Sequence, residues 1–158
     1  MNGGIAAHSA IERNLIYALT NCLRGKPCQP YGSNLKILVA GCIRYPDAFV
    51  VCTPVAPEAT VVPDPVVIFE IPSPSTQNED LVVKNAEYRA TPSVQRYVIL
   101  EQTDAGALMF TRKGEDWVAE VASGDAAVLR MPEIEIEVPL AELYADVKLT
   151  GSKEPDGE

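Results

Sequence analysis

Histidine is nearly missing from this chain: its 158 residues include only His8, with one Trp and three Phe. A single imidazole cannot build a histidine-rich zinc set, and Cys22, Cys28, Cys42 and Cys52 contain no C-x-x-C pair to supply the rest. These thiols are expected to be reduced and buried or half-buried, rather than joined in disulfides or held by a metal. Cations are scarce as well. Thirteen Lys and Arg face 22 Asp and Glu, a net charge of -9. Such a field repels polyanions at long range, so nucleic-acid contact requires a local basic patch or bridging cations. No apolar run approaches the roughly 18 residues of a membrane span. The opening MNGGIAAHSAIERN also lacks a basic stretch followed by an apolar one. The expectation is a soluble, cytoplasmic protein with no membrane partner.

The chain has 47% hydrophobic and 22% charged residues, enough apolar side chains for the core of one domain. Ile11, Leu15, Ile16, Leu19, Cys22 and Leu23 recur at helical spacing, predicting a helix over residues 9–24, capped by Ser9 and ended by Gly25 and Pro27. NLKILVAG, AFVVC and VVIFEI then read as strands, with a Pro-rich loop over PVAPEATVVPDP. The unbroken apolar character of VVIFEI places it centrally, covered on both faces. A second helix is predicted over 79–90, capped by Ser75, Thr76 or Asn78 and closed by Pro92. From RYVILEQ onward, short strands separated by DAG, KGED and SGD turns predict an antiparallel meander. EIEIEV is read as one half-buried strand, with no chemistry assigned to Glu133, Glu135 or Glu137. The fold class is mixed α+β, with residues 1–150 as one domain and 151–158 as a disordered acidic tail.

One acid contradicts its surroundings. Glu70 sits inside VVIFEI, where a carboxylate is costly unless it is paired or held for a metal or a proton. Asp47 follows Pro46 at the start of the AFVVC strand, and Lys84 lies on the second predicted helix. Two acids delivered by neighbouring strands can converge on a hard divalent cation such as Mg²⁺, which takes carboxylate and carbonyl oxygens plus water. A nearby ammonium group can then orient or deprotonate water. A second Pro-Asp, at Pro63-Asp64, shows that the dipeptide alone is a weak signal.

Taken together and in order, RYPDAFVVC, DPVVIFEIPSPST and DLVVKNAEYRATPSVQRYVILEQ resemble the Uma-two family of restriction-endonuclease-like proteins, within the PD-(D/E)XK nuclease superfamily. The upstream HSAIERNLIYALTNCLRGKPCQPYGSNLKI and the closing VPLAELY are similar too, so the resemblance runs from His8 to Tyr144. It implies a restriction-endonuclease-like central mixed sheet flanked by helices, with the meander C-terminal to it. It also implies Mg²⁺-dependent (or Mn²⁺-dependent) hydrolysis of DNA phosphodiester bonds, in a homodimer. Asp47 and Glu70 would bind the metal, with the Ile71 carbonyl as a further ligand. The superfamily's lysine normally lies two residues after the second acid; here that place is Pro72, and the resemblance implies that Lys84, on the following helix, carries the lysine's role instead. Gln102, ending RYVILEQ, falls in a family-typical position near the site.

Three departures bear on activity. Family members begin several tens of residues earlier with a YELIDGELV-like segment, Asn34 stands where Asp is expected, and Pro72 replaces Leu. A shortened copy suggests the competing reading, a catalytically impaired nuclease fold serving as an interaction module; a small-molecule hydrolase using the same carboxylates is a third. Lys36, Arg44 and Arg89 are candidate phosphate contacts. His8 is read as a helix-entry residue rather than a base. Ser73, Ser75 and Thr76 lack a neighbouring base in sequence and are read as turn and cap residues.

Overall fold

A computed structural model describes residues 5–73 and 78–150. The chain forms α1 (Ala6–Leu23), β1 (Gln29–Gly32), β2 (Lys36–Val39), β3 (Cys42–Arg44), β4 (Ala48–Val51), β5 (Val61–Val62) and β6 (Pro65–Glu70). Then come α2 (Asn78–Arg89), β7 (Arg96–Leu100), β8 (Gly106–Lys113), β9 (Asp116–Ser123), β10 (Val128–Met131), a 3-10 turn (Pro132–Ile134), β11 (Ile136–Pro139) and α3 (Leu140–Leu143). The main sheet has the order β1-β4-β6-β7-β8-β9. Only β6 and β7 pair in parallel within it, which requires the crossover that α2 supplies. The fold is therefore mixed α+β, with VVIFEI at the sheet centre.

Side-chain alternation along the central strands builds two apolar layers. Val50, Val67, Phe69, Val98 and Leu100 pack with Ile11, Leu15 and Leu19 of α1, and with Leu140 and Leu143 of α3. Phe49, Ile68, Tyr97 and Ile99 face the other way, toward Tyr88 of α2. Each large side chain fully buried this way contributes about 1.5–3 kcal/mol. Asn14 of α1 donates to the carbonyls of Leu143 and Ala145 at 3.0 and 2.9 Å, fastening α3 to the same layer.

Several local expectations shift. α1 begins at Ala6 with Ile5 at its N-cap, and Ser9 lies inside the helix, its N–H bonded to the Ile5 carbonyl. The buried stripe starting at Ala7 sets the helix start, so packing overrides the capping signal. The proposed caps Ser75 and Thr76 fall outside the described residues, as does the tail 151–158. The Pro-rich loop contains β5, which pairs in parallel with β2 beside β3 in a small three-stranded sheet. The meander stops at β9, since β10 and β11 form a separate hairpin. EIEIEV is broken by the 3-10 turn and by Glu135 at φ 59°, and only Ile136–Pro139 shows alternating burial. Glu133 is not a solvated strand acid. It forms a two-point ion pair with Arg96 of β7, at 2.6 and 3.1 Å.

The cysteine expectation is corrected. β1 and β4 pair antiparallel with Gln29 opposite Val51, so the next positions outward, Cys28 and Cys52, face each other with Cα atoms 3.9 Å apart and are disulfide-bonded. Strand register, rather than motif spacing, joins two thiols 24 positions apart. Cys22 and Cys42 are free thiols.

Candidate active site

The β4–β6 register brings the two acids together. The ladder ends with Ala48 opposite Phe69, so Asp47, just before β4, and Glu70, the last residue of β6, are the next positions outward. Asp47 bonds the N–H of the residue after Glu70. Both are buried, at 5% and 6% exposure. Like charges at adjacent cross-strand positions repel, and buried carboxylates need partners. Each acid finds them in a different layer.

Asp47 is held from α1 and from the backbone. Its Oδ1 lies 2.8 Å from His8 Nε2, and its Oδ2 accepts a 2.7 Å hydrogen bond from the Ile71 N–H. Glu70 follows Ile68 on the α2 face of β6, where the Tyr88 hydroxyl donates to its Oε2 at 2.8 Å. Lys84, one turn earlier on α2, places Nζ 3.6 Å from the same oxygen. That separation is an ion pair rather than a well-formed hydrogen bond. The two-point pair between Arg44 of β3 and Glu87 holds α2 in this position.

Protonation follows from these contacts. The hydrogen bond to Asp47 raises the His8 pKa against the opposing effect of burial, and the charges of Asp47, Glu12 and Glu70 add to the rise. Burial, reinforced by Glu70, pushes the Tyr88 phenol far upward, so it remains a proton donor to that carboxylate.

Ile71 is a junction. Its N–H serves Asp47, while its carbonyl lies 3.4 Å from Gln102 Nε2. Gln102 follows β7, whose Ile99 is registered with Glu70, and is 2% exposed. Its Oε1 has no hydrogen-bond partner among the described residues.

Asp47, Glu70, Ile71, Lys84 and Gln102 thus gather at one end of β4, β6 and β7. His8 joins them: it does lie in the first turn of α1, as a helix-entry residue, and its ring also reaches Asp47. Its sequence signal was an ionisable group on the buried stripe of α1, which demands a partner. Arg44 is engaged with Glu87, while the Arg89 guanidinium lies over Phe110 and Trp117, 5.2 and 5.7 Å from the ring centroids. The concavity lined by Arg130, Pro132 and Glu135 lies on the β10–β11 side and contains none of the site residues.

Residues 1–141 match the Uma2 family, described as "Putative restriction endonuclease". The chain belongs to the Uma2 family. It is also 30% identical over 122 residues to the uncharacterized protein slr1290 of Synechocystis sp., an overlap of 75% of this chain and 64% of that one. This Uma2 chain therefore aligns with less than two thirds of that relative's length. Its fold is similar to the crystal structure of a "putative nuclease belonging to DUF820" from Anabaena variabilis, with a TM-score of 0.75 and 14% identity, covering 91% of this chain and 83% of the other. In this Uma2 chain Pro72 offers no cation beside the second acid, and Lys84 approaches it from α2 instead.

Proposed function

We propose that this Uma2 chain is a divalent-cation-dependent endonuclease that hydrolyses DNA phosphodiester bonds. Asp47, Glu70 and the Ile71 carbonyl would hold Mg²⁺ or Mn²⁺, and Lys84 would be the catalytic cation. The observation that carries this reading is the convergence of two buried acids, through the β4–β6 register, with an ammonium group on one of them.

The donor chemistry fits the metal. Both carboxylates and the carbonyl are hard oxygens, as Mg²⁺ requires, and Mg²⁺ keeps several waters rather than demanding an all-protein cage. A cation bound there would supply Lewis-acid polarisation of the phosphate and activation of water. The chain's own residues orient the site: His8 and the Ile71 N–H fix both Asp47 oxygens, and the Tyr88 hydroxyl fixes Glu70. Lys84 offsets charge on the phosphoryl group during attack. A bound cation would also relieve the repulsion between DNA and a protein of net charge -9. A homodimer would place one such site on each DNA strand.

The second reading, a nuclease fold used as an interaction module, draws on the engagement of both Asp47 oxygens and on the lack of any cluster of three His, Cys, Asp or Glu among the described residues. Nicking of supercoiled DNA with Mg²⁺ or Mn²⁺, beside Asp47→Ala, Glu70→Ala and Lys84→Ala, separates them. The nuclease reading expects nicking that each substitution abolishes. Nicking that survives all three sinks the assigned site, and no nicking by the parent favours the module. Among the described residues no helix is long and apolar enough to cross a membrane.

A further inference from the structure

Gln102 presents an anomaly in a well-satisfied neighbourhood. The residue is 2% exposed, yet its buried Oε1 has no hydrogen-bond partner among the described residues. Buried amide oxygens are nearly always paired, and one left unpaired destabilises the fold that contains it. Turning the amide over does not cure this. Nε2 faces the Ile71 carbonyl at 3.4 Å, and the reversed amide would set two acceptor oxygens against each other. The backbone restricts escape as well, since the Gln102 carbonyl accepts hydrogen bonds from both the N–H and the hydroxyl of Thr150, at 3.0 and 3.1 Å.

The location suggests what the oxygen awaits. The Ile71 carbonyl that Gln102 touches belongs to the residue whose N–H holds Asp47 and which directly follows Glu70. Gln102 is therefore fixed to the proposed cation ligands while keeping an acceptor unused. A hydrated divalent cation brings the complementary group, because Mg²⁺ retains waters whose hydrogens are strong donors.

Resting on the metal-dependent reading above, we propose that Gln102 is a positioning residue for the hydration shell of the site's divalent cation, its Oε1 accepting a hydrogen bond from a cation-bound water. The amide performs two tasks: Nε2 restrains the Ile71 carbonyl and Oε1 fixes the water. Outer-shell partners of this kind typically change metal affinity by about 10- to 100-fold.

The test measures Mg²⁺ affinity by calorimetry, and melting temperature with and without Mg²⁺, for the parent chain, Gln102→Leu, Gln102→Met and Asp47→Ala. Both Gln102 variants remove the orphaned oxygen at similar volume. The expected result is a cation-free melting temperature equal to or above the parent's, with Mg²⁺ affinity weakened about tenfold or more. Affinity within about twofold of the parent overturns the inference. So does failure of both variants to fold without Mg²⁺, because the fold would then need Gln102 for itself. A parent that binds Mg²⁺ and an Asp47→Ala variant that does not leave the metal reading standing even if Gln102 fails. A parent with no Mg²⁺ response sinks that reading, and this inference with it.

Discussion

Replacing His8 isolates the contact that holds Asp47 from α1. His8→Gln keeps a neutral hydrogen-bond donor but cannot titrate, while His8→Ala removes the partner altogether. A hydrogen bond to a charged group contributes about 1.5–3 kcal/mol. Loss of it from Asp47, which is 5% exposed, should lower stability by that amount in His8→Ala. For a domain of this size each kcal/mol shifts the melting temperature by about 2–4 °C, so the expected fall is about 3–12 °C. The sign of the pH dependence follows from the raised His8 pKa. The folded state binds the imidazolium proton more tightly than the unfolded chain, so this stabilisation is fully present below the unfolded value of about 6.5. It is lost as pH rises through the higher folded value. Urea unfolding from about pH 6 to about pH 9 should therefore show a gap between parent and His8→Gln that is widest at the acid end and narrows with rising pH. A gap that is constant, or that widens toward alkaline pH, refutes the assignment of an imidazolium–carboxylate pair.

Two further perturbations probe the frame around the site. Glu133→Ala leaves the Arg96 guanidinium, 4% exposed, without its carboxylate, and should cost about 3–5 kcal/mol in urea unfolding. The double variant Arg96→Met with Glu133→Leu should recover much of that loss, and a single-variant cost below about 1 kcal/mol contradicts the buried pair. Cys52→Ser opens a disulfide spanning 24 positions, which by loop-closure entropy should remove about 3–4 kcal/mol. If the parent's stability is unchanged by strong reductant and matches that of Cys52→Ser, the bond contributes nothing.

The sequence showed most clearly what depends on local pattern. The unbroken apolar run around Glu70 marked a central strand, and the sheet order places it there. Helical periodicity located α1 and α2 to within a few residues, and Glu70 stood out because a carboxylate does not belong in such a run. Features that depend on register or on distant partners were hidden. Cys28 and Cys52 meet only because β1 and β4 pair with one particular alignment. His8 looked bland because Asp47 lies 39 positions away, and Glu133 looked solvated because Arg96 lies 37 positions earlier. In each case one residue's environment is set by a strand or helix that its neighbours in sequence do not specify.

The doubly engaged main chain of Ile71 has a consequence for how the site can vary. Its side chain belongs to the apolar layer while its main chain links Asp47 to Gln102, so the two roles are carried by different atoms. A substitution scan would score position 71 for core volume and hydrophobicity alone, and Val or Leu there would leave the linkage intact. The chemistry at this position is invisible to side-chain replacement. An amide-to-ester exchange at residue 71, which deletes one N–H and nothing of the side chain, is the change that would reveal it.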